Sequence, residues 1–182
     1  LRGIAVMRPA ALADLVWMKG VLFQLLSGIP GRNARENHTR SLLLSPLAAM
    51  AWRLSPEDQR ELKDFLVVLL GEVTGIADGD NNLRYWIGKT LTPILKHLPE
   101  EELPGMIPVL TEFLRKARGS AQDGWAALWA IGEFGRALAI VYGRIAGYDP
   151  GEKEGVIDAL ESVFGRSVQD GDGYRPLFVQ YG

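Results

Sequence analysis

The chain has 182 residues, of which 47% are hydrophobic and 23% charged, and this length allows one domain with a sizeable core or a short array of repeats. A formal charge of −2 gives no overall attraction to nucleic acid. The absence of cysteine excludes disulfides, thiolate catalysis and cysteine-ligated metal sites, and the two histidines are far apart in sequence. We therefore expect no metal and no cofactor.

The apolar runs of the sequence are much shorter than the roughly 18–20 residues that a membrane-spanning helix needs. The first residues, 1–8, contain one short apolar run before Pro9, and charged residues interrupt it too soon for a signal peptide. We expect a cytoplasmic protein that has no membrane partner.

Apolar residues recur at helical spacing along most of the chain, which predicts an all-α fold. Ser55 followed by Pro56 is a typical helix start, because serine caps the first turn and proline needs no N–H partner there. Lys19 is the one charged residue on the apolar face of the first helix. About seven helices are predicted, over residues 9–26, 34–53, 55–73, 82–97, 99–118, 123–148 and 150–166.

Several prolines lie inside these predicted helices. Pro46 in the second helix and Pro93 in the fourth are each expected to bend the helix, because proline lacks the N–H that the helix interior requires. In the fifth helix, Pro104 lies in the first turns and is tolerated, whereas Pro108 lies deeper and is expected to bend it.

The loop before the fourth helix has two interpretations. Asp78, Asp80 and Asn82 alternate as they do at the start of a calcium-binding loop. The sixth position, however, is Leu83 instead of glycine, and the twelfth is Lys89 instead of glutamate. We therefore interpret the segment as a turn that caps the helix after it.

An internal repeat is visible in the second helices of three predicted hairpins. The apolar positions from Leu62 to Leu70 match those from Met106 to Leu114 at a shift of 44 residues, and these match the positions from Val156 onward at a shift of 50. A repeat of this length with two helices is typical of an α-solenoid, in which each hairpin buries its apolar face on its neighbours.

This repeat resembles the HEAT-repeat family in three features: Asp80 and Arg84 at the start of an apolar helix, the interior Pro46 and Pro93, and the small-residue segment Gly124–Leu138. The resemblance covers residues 34–166, although the third repeat has glycines where the others have an interior proline. It implies a short α-solenoid of antiparallel helix hairpins. The implied divisions are an arm (1–8), a repeat domain (9–168, with a partial repeat 9–31 and repeats 34–76, 80–119 and 121–167) and a tail (169–182).

In HEAT solenoids the second helices line the concave face. Here the first helices of the hairpins carry a net positive charge and the second helices a net negative charge. We therefore predict an acidic concave surface that docks a basic protein segment, the alternative being a solvated ridge of acids without a partner. The acids assigned to this surface are Glu61, Asp64, Glu112, Asp158 and Glu161.

Trp125, Trp129 and Arg136 lie on one stripe of the predicted sixth helix. Exposed, they would form an aromatic partner-binding site with a cationic end; buried, they would belong to the core. Arg40, Arg84 and Arg136 have a further interpretation, as ion pairs between neighbouring repeats with Asp80, Asp123 or Glu133.

The sequence has no serine-nucleophile motif and no glycine-rich phosphate loop after a strand, so we predict a non-catalytic protein-binding or scaffolding module. The alternative is a HEAT-like module that binds nucleic acid. One such module would be a DNA glycosylase, which would need Trp125, Trp129 and Asp123 in a basic groove. The predicted groove is acidic. The cations that would serve nucleic-acid binding are Arg32, Arg35, Arg40, Arg84, Lys89 and Lys96.

Overall fold

The computed structural model describes residues 12–117 and 125–145, and all regular structure in these two ranges is helical. The predicted all-α class is therefore confirmed for this part of the chain. The predicted arm, the seventh helix with Asp158 and Glu161, and the tail lie outside the described residues. The elements are α1 (Leu12–Gly28), α2 (Ala34–Met50), α3 (Pro56–Glu72), α4 (Asp78–Leu95), α5 (Met106–Ala117) and α6 (Trp125–Arg144), with 3-10 turns at Ala51–Arg53 and Glu100–Glu102.

Helix starts follow from the residues that cap them. Ser55 caps α3 as predicted, because its hydroxyl accepts the backbone N–H of Asp58 at 3.2 Å. α4 begins earlier than the predicted Asn82, because the Asp80 carboxylate accepts the N–H of Ala77 at 3.1 Å and completes the first turn. The predicted capping role is therefore confirmed, but residues 78–82 belong to α4 itself and not to a loop before it.

The four prolines differ in where they lie relative to the helices. α2 and α4 continue through Pro46 and Pro93. α5 begins only at Met106, later than predicted, because the residues after Pro99 form a 3-10 turn in which the N–H groups of Glu102 and Leu103 bond to carbonyl oxygens three residues earlier, and Pro104 has no N–H to continue the pattern. Pro108 therefore lies in the first turn of α5, where its missing N–H leaves no hydrogen bond unmade, and not in the helix interior.

α4 lies between α2 and α6 and packs closely against both. Its first turn touches the first turn of α2, where Gly79 approaches the backbone of Ala34, and its middle touches the middle of α6, where Gly88 approaches Glu133. At the other end, Arg144 of α6 donates a hydrogen bond to the last carbonyl oxygen of α4 at 2.7 Å. The three helices therefore run in the same direction, and we call them the central row.

The helices α1, α3 and α5 pack against α2, α4 and α6 of the central row, respectively. α1 and α3 are joined by the stacked rings of Phe23 and Phe65, whose centroids are 4.3 Å apart. α3 is joined to the turn before α5 by Arg60, whose Nε donates to the Glu102 carboxylate at 2.5 Å. We call these three the flanking helices, and their mutual contacts place them on one side of the row.

One apolar cluster fills the space between the central row and the flanking helices. Leu66 of α3, Leu91 of α4 and Phe134 of α6 are fully buried in it. The Phe134 ring stacks on Phe113 of α5 with a centroid distance of 3.8 Å. Full burial of an aliphatic or aromatic side chain stabilises a fold by about 1.5–3 kcal/mol, so this shared core holds the two sets of helices together.

Lys19 is buried on α1, where it donates hydrogen bonds to Asp58 at 2.6 Å and to Glu61. Burial by itself lowers the pKa of Lys19, but the hydrogen bonds and charges of the two acids outweigh it and raise this pKa above 10.5. The hydrogen bond from Lys19, aided by the Ser55 hydroxyl, lowers the pKa of Asp58 below 3.8. A lysine on an apolar helix face is therefore accommodated by a charge network with α3.

The Lys19–Asp58 pair predicts a dependence of stability on pH. Because the folded pKa of Asp58 lies below its ordinary value of 3.8, its stabilising effect is fully present above that value and is lost as the pH falls through the folded pKa. We expect the difference in free energy of unfolding between the wild type and Asp58→Asn to be constant from about pH 5 to pH 8 and to shrink in stronger acid. Urea denaturation across this range measures it, and a difference that stays unchanged in strong acid would contradict the assignment.

Candidate functional site

A groove with a volume of about 520 Å³ lies between the flanking helices α3 and α5. Leu70 of α3 and Val109 and Phe113 of α5 give it mainly apolar walls, and Ala127 at the start of α6 lies at one end. The groove exists because α3 and α5 pack on different helices of the central row and leave space between them. A concave apolar surface of this size can accept apolar side chains from a partner.

Two charged residues line this mainly apolar groove, Arg84 from α4 and Glu112 from α5. The Arg84 guanidinium donates to the side-chain oxygen of Asn81 at 3.0 Å and to the carbonyl oxygen of Val73 at 2.9 Å. Burial lowers the pKa of Arg84, and the charge of Asp80 opposes this shift. An arginine remains protonated at neutral pH even so, and Arg84 therefore fixes the loop before α4 as a permanent cation.

Arg40 makes the same type of contact 44 residues earlier. Its Nε donates to the carbonyl oxygen of Ile29 at 2.9 Å, and its guanidinium also pairs with Glu72 at 2.8 Å. Arg40 and Ile29 are 11 residues apart, as are Arg84 and Val73. Each arginine thus ties a helix of the central row to the loop that precedes it, which gives both residues a structural role.

Three of the five acids of the predicted partner-binding surface lie in the described residues, on α3 and α5. Glu61 is bound to Lys19, and the Asp64 carboxylate lies 3.3 Å from the ammonium of Lys63. Glu112 lines the groove. Lysines on the same surface therefore neutralise part of the negative charge on α3, a compensation that counting charges along the sequence does not reveal.

The predicted stripe on α6 is exposed to solvent. Trp125 is 51% exposed and Trp129 53% exposed, so neither tryptophan belongs to the core. The Arg136 side chain is 56% exposed and pairs with Glu133 of the same helix at 3.2 Å. The structure places these three residues on α6, and none of them lines the groove, so they do not join Glu61, Asp64 and Glu112 in one site.

Aromatic residues of α4 extend this stripe across the central row. The Tyr85 ring lies 6.1 Å from that of Trp129 and 5.3 Å from that of Trp86, measured between centroids. Lys89 donates to the Tyr85 hydroxyl at 2.8 Å, and its ammonium lies 5.3 Å and 5.5 Å from the Tyr85 and Trp86 ring centroids. We call Tyr85, Trp86, Lys89, Trp129 and Arg136 the outer patch. Sequence reasoning missed its α4 aromatics, although Tyr85 and Trp129 are separated by the 44-residue repeat spacing.

Neither a metal site nor a membrane span is found in the part of the chain that the structure describes. No group of three or more histidine, aspartate and glutamate side chains lies close enough together there to hold an ion. None of the helices there is both long and apolar enough to cross a membrane.

Comparisons with known proteins give no assignment beyond this geometry. No protein-family model matches the chain, and no curated protein or solved structure is significantly similar to it. The described part of the chain is therefore all-helical, with a mainly apolar groove between α3 and α5 and a partly exposed aromatic patch on α4 and α6.

Proposed function

We propose that this chain is a non-catalytic protein-binding module built as a short HEAT-like α-solenoid. Two observations support the solenoid: the helices of the central row run in the same direction, and the contacts of Arg40 with Ile29 and of Arg84 with Val73 recur at a spacing of 44 residues. Stacked hairpins of this kind present their second helices on one continuous face, which suits the binding of an extended partner.

In this proposal the groove between α3 and α5 is the partner-binding site. Its walls at Leu70 and Val109 are apolar, Glu112 supplies a carboxylate in its lining, and Asp64 and Glu72 lie on the same half of α3 as the lining residues. A basic amphipathic segment fits this combination, because its apolar side chains can enter the groove while its cations face the acids. Arg40 and Arg84, two of the cations that nucleic-acid binding would use, are engaged in contacts with loops, which weakens that alternative.

Substitutions at two valines test whether the groove is the peptide-binding site. Val109 lines it, whereas Val68 lies on α3 outside it and is exposed. Peptides would be selected from a random phage library on the full chain, after clearing on Val109→Arg, and we expect basic amphipathic sequences. Their affinity should fall roughly tenfold or more in Val109→Arg, because an arginine fills the groove, and stay within about twofold in Val68→Arg.

The contribution of the Glu112 carboxylate to peptide binding is tested separately with Glu112→Gln. We expect this variant to weaken binding of the selected peptides about two- to fivefold at low salt and to reduce the salt dependence, as for an exposed ion pair. A selection that enriches no peptides, or peptides that are not basic and amphipathic, would show that the groove is not the docking site. Thermal denaturation checks that each variant is folded.

A further inference from the structure

The outer patch is a second surface, in which Lys89, Trp129 and Arg136 are exposed and Tyr85 and Trp86 are partly buried against the core, and none of its residues lines the groove. Trp129 is half exposed although the Tyr85 ring lies against it, so the indole is held by its own helix and by α4. A partner that covers such a side chain gains a large apolar contact and loses little conformational freedom in doing so. Tryptophan and tyrosine are also the residues that contribute most to binding at protein interfaces.

The positive charge of the outer patch indicates that the partner segment is negatively charged. The ammonium of Lys89 lies close to the Tyr85 and Trp86 rings, so the chain's own cation already makes the cation–π contacts there. Arg136 adds a second exposed cation, and the acid that it pairs with, Glu133, is only 8% exposed. A cation from a partner would be repelled, whereas an anion would find two donors beside an apolar surface.

The spacing of the two cations suits a helical peptide. The contact of Gly88 with Glu133 places Lys89 and Arg136 within about one helical turn of each other along the parallel helices α4 and α6. Neighbouring packed helices lie about 8–10 Å apart, which is close to two turns of a partner helix. Two cations are too few for a row of phosphates, and the chain as a whole is negative, so a protein segment fits better than a nucleic acid.

We propose that the outer patch binds an acidic amphipathic helix of a partner protein. The apolar side chains of that helix lie on Trp129 and Trp86, and two of its carboxylates pair with Lys89 and Arg136. This site is independent of the groove between α3 and α5, and it would leave the groove free for a different ligand.

The test is a selection that isolates ligands of this patch. Random peptides displayed on phage are cleared on the Trp129→Ala variant of the full chain and then captured on the wild type, which removes ligands of the groove. We expect the enriched peptides to be acidic and amphipathic. Their affinity should fall about tenfold or more in Trp129→Ala and about two- to fivefold in Lys89→Gln at low salt.

Trp52 provides a matched control, because it is 59% exposed and lies 6.0 Å from the Arg53 guanidinium but outside the outer patch. Trp52→Ala should bind the selected peptides within about twofold of the wild type, since it removes a tryptophan of similar exposure and surroundings. Circular dichroism melting of both tryptophan variants separates lost binding from lost folding.

Three results would overturn the proposal. One is a selection that enriches basic or neutral peptides, or none at all. Another is displacement of the selected peptides by single-stranded oligonucleotides, which would make a nucleic acid the ligand. The third is a dimer in light scattering that Trp129→Ala abolishes, because a second copy of the chain would then be what covers the patch.

Discussion

Replacing Gly79 with alanine is expected to destabilise the chain by about 3 kcal/mol, although alanine is the better helix former. Gly79 lies in the first turn of α4, and a β-carbon built there would overlap the carbonyl oxygen of Ala34 in α2. The obstacle is backbone, which cannot rotate away as a side chain can, so α2 and α4 would have to move apart. Chemical denaturation of the full chain measures the change.

Gly20 is the control for this substitution. It lies in the interior of α1, is exposed, and has no atom within 4 Å of an added β-carbon. Gly20→Ala should therefore stabilise the chain by up to about 1 kcal/mol through helix propensity alone. If both glycine variants gained stability, α2 and α4 would not approach each other as closely as the structure shows.

Replacing Arg40 with methionine is expected to cost about 2–4 kcal/mol of stability. The variant keeps much of the apolar stem but leaves the carbonyl oxygen of Ile29 and the carboxylate of Glu72 without their guanidinium partner. Arg40→Lys should recover only part of the loss, because one ammonium cannot reproduce the planar fork that contacts both groups. Denaturation measures stability, and hydrogen exchange should show faster exchange in the loop that contains Ile29.

Arg35 is the comparison for Arg40, since it lies on the same helix but is exposed. Arg35→Met should change stability by less than about 0.5 kcal/mol, as surface substitutions usually do. Equal effects of the two methionine variants would mean that Arg40 contributes through general charge and not through its contact with the loop.

The helices could be predicted from sequence because their signals are local. Apolar periodicity and the cap at Ser55 each depend on a few neighbouring residues, and both appear in the structure. The start of α5 was misplaced because the acidic run after Pro99 resembles the first turn of an α-helix, whereas Glu100–Glu102 form a 3-10 turn and the α-helix begins only at Met106.

The candidate sites were less accessible to sequence reasoning because they depend on contacts between helices. Nothing near Lys19 in the sequence shows that Asp58 and Glu61 meet it, so the negative charge available on α3 was overestimated. The outer patch likewise needs α4 beside α6, which brings Tyr85 to Trp129. Periodicity assigned Trp129 to a stripe of its helix, but only packing decides whether that stripe faces solvent.

The shared direction of α2, α4 and α6 has an electrostatic consequence. Parallel neighbours align their backbone dipoles, which repel side by side and concentrate partial positive charge at one edge of the row and partial negative charge at the other. The side chains at both edges oppose this field. Acids lie in the first turns of α2 and α4, at Glu36, Asp78 and Asp80, and bases lie at the end of α6 and just after α2 and α4, at Arg144, Arg53 and Lys96. A molecule of almost zero total charge is thereby internally polarised, and its side chains screen the ends of its own backbone.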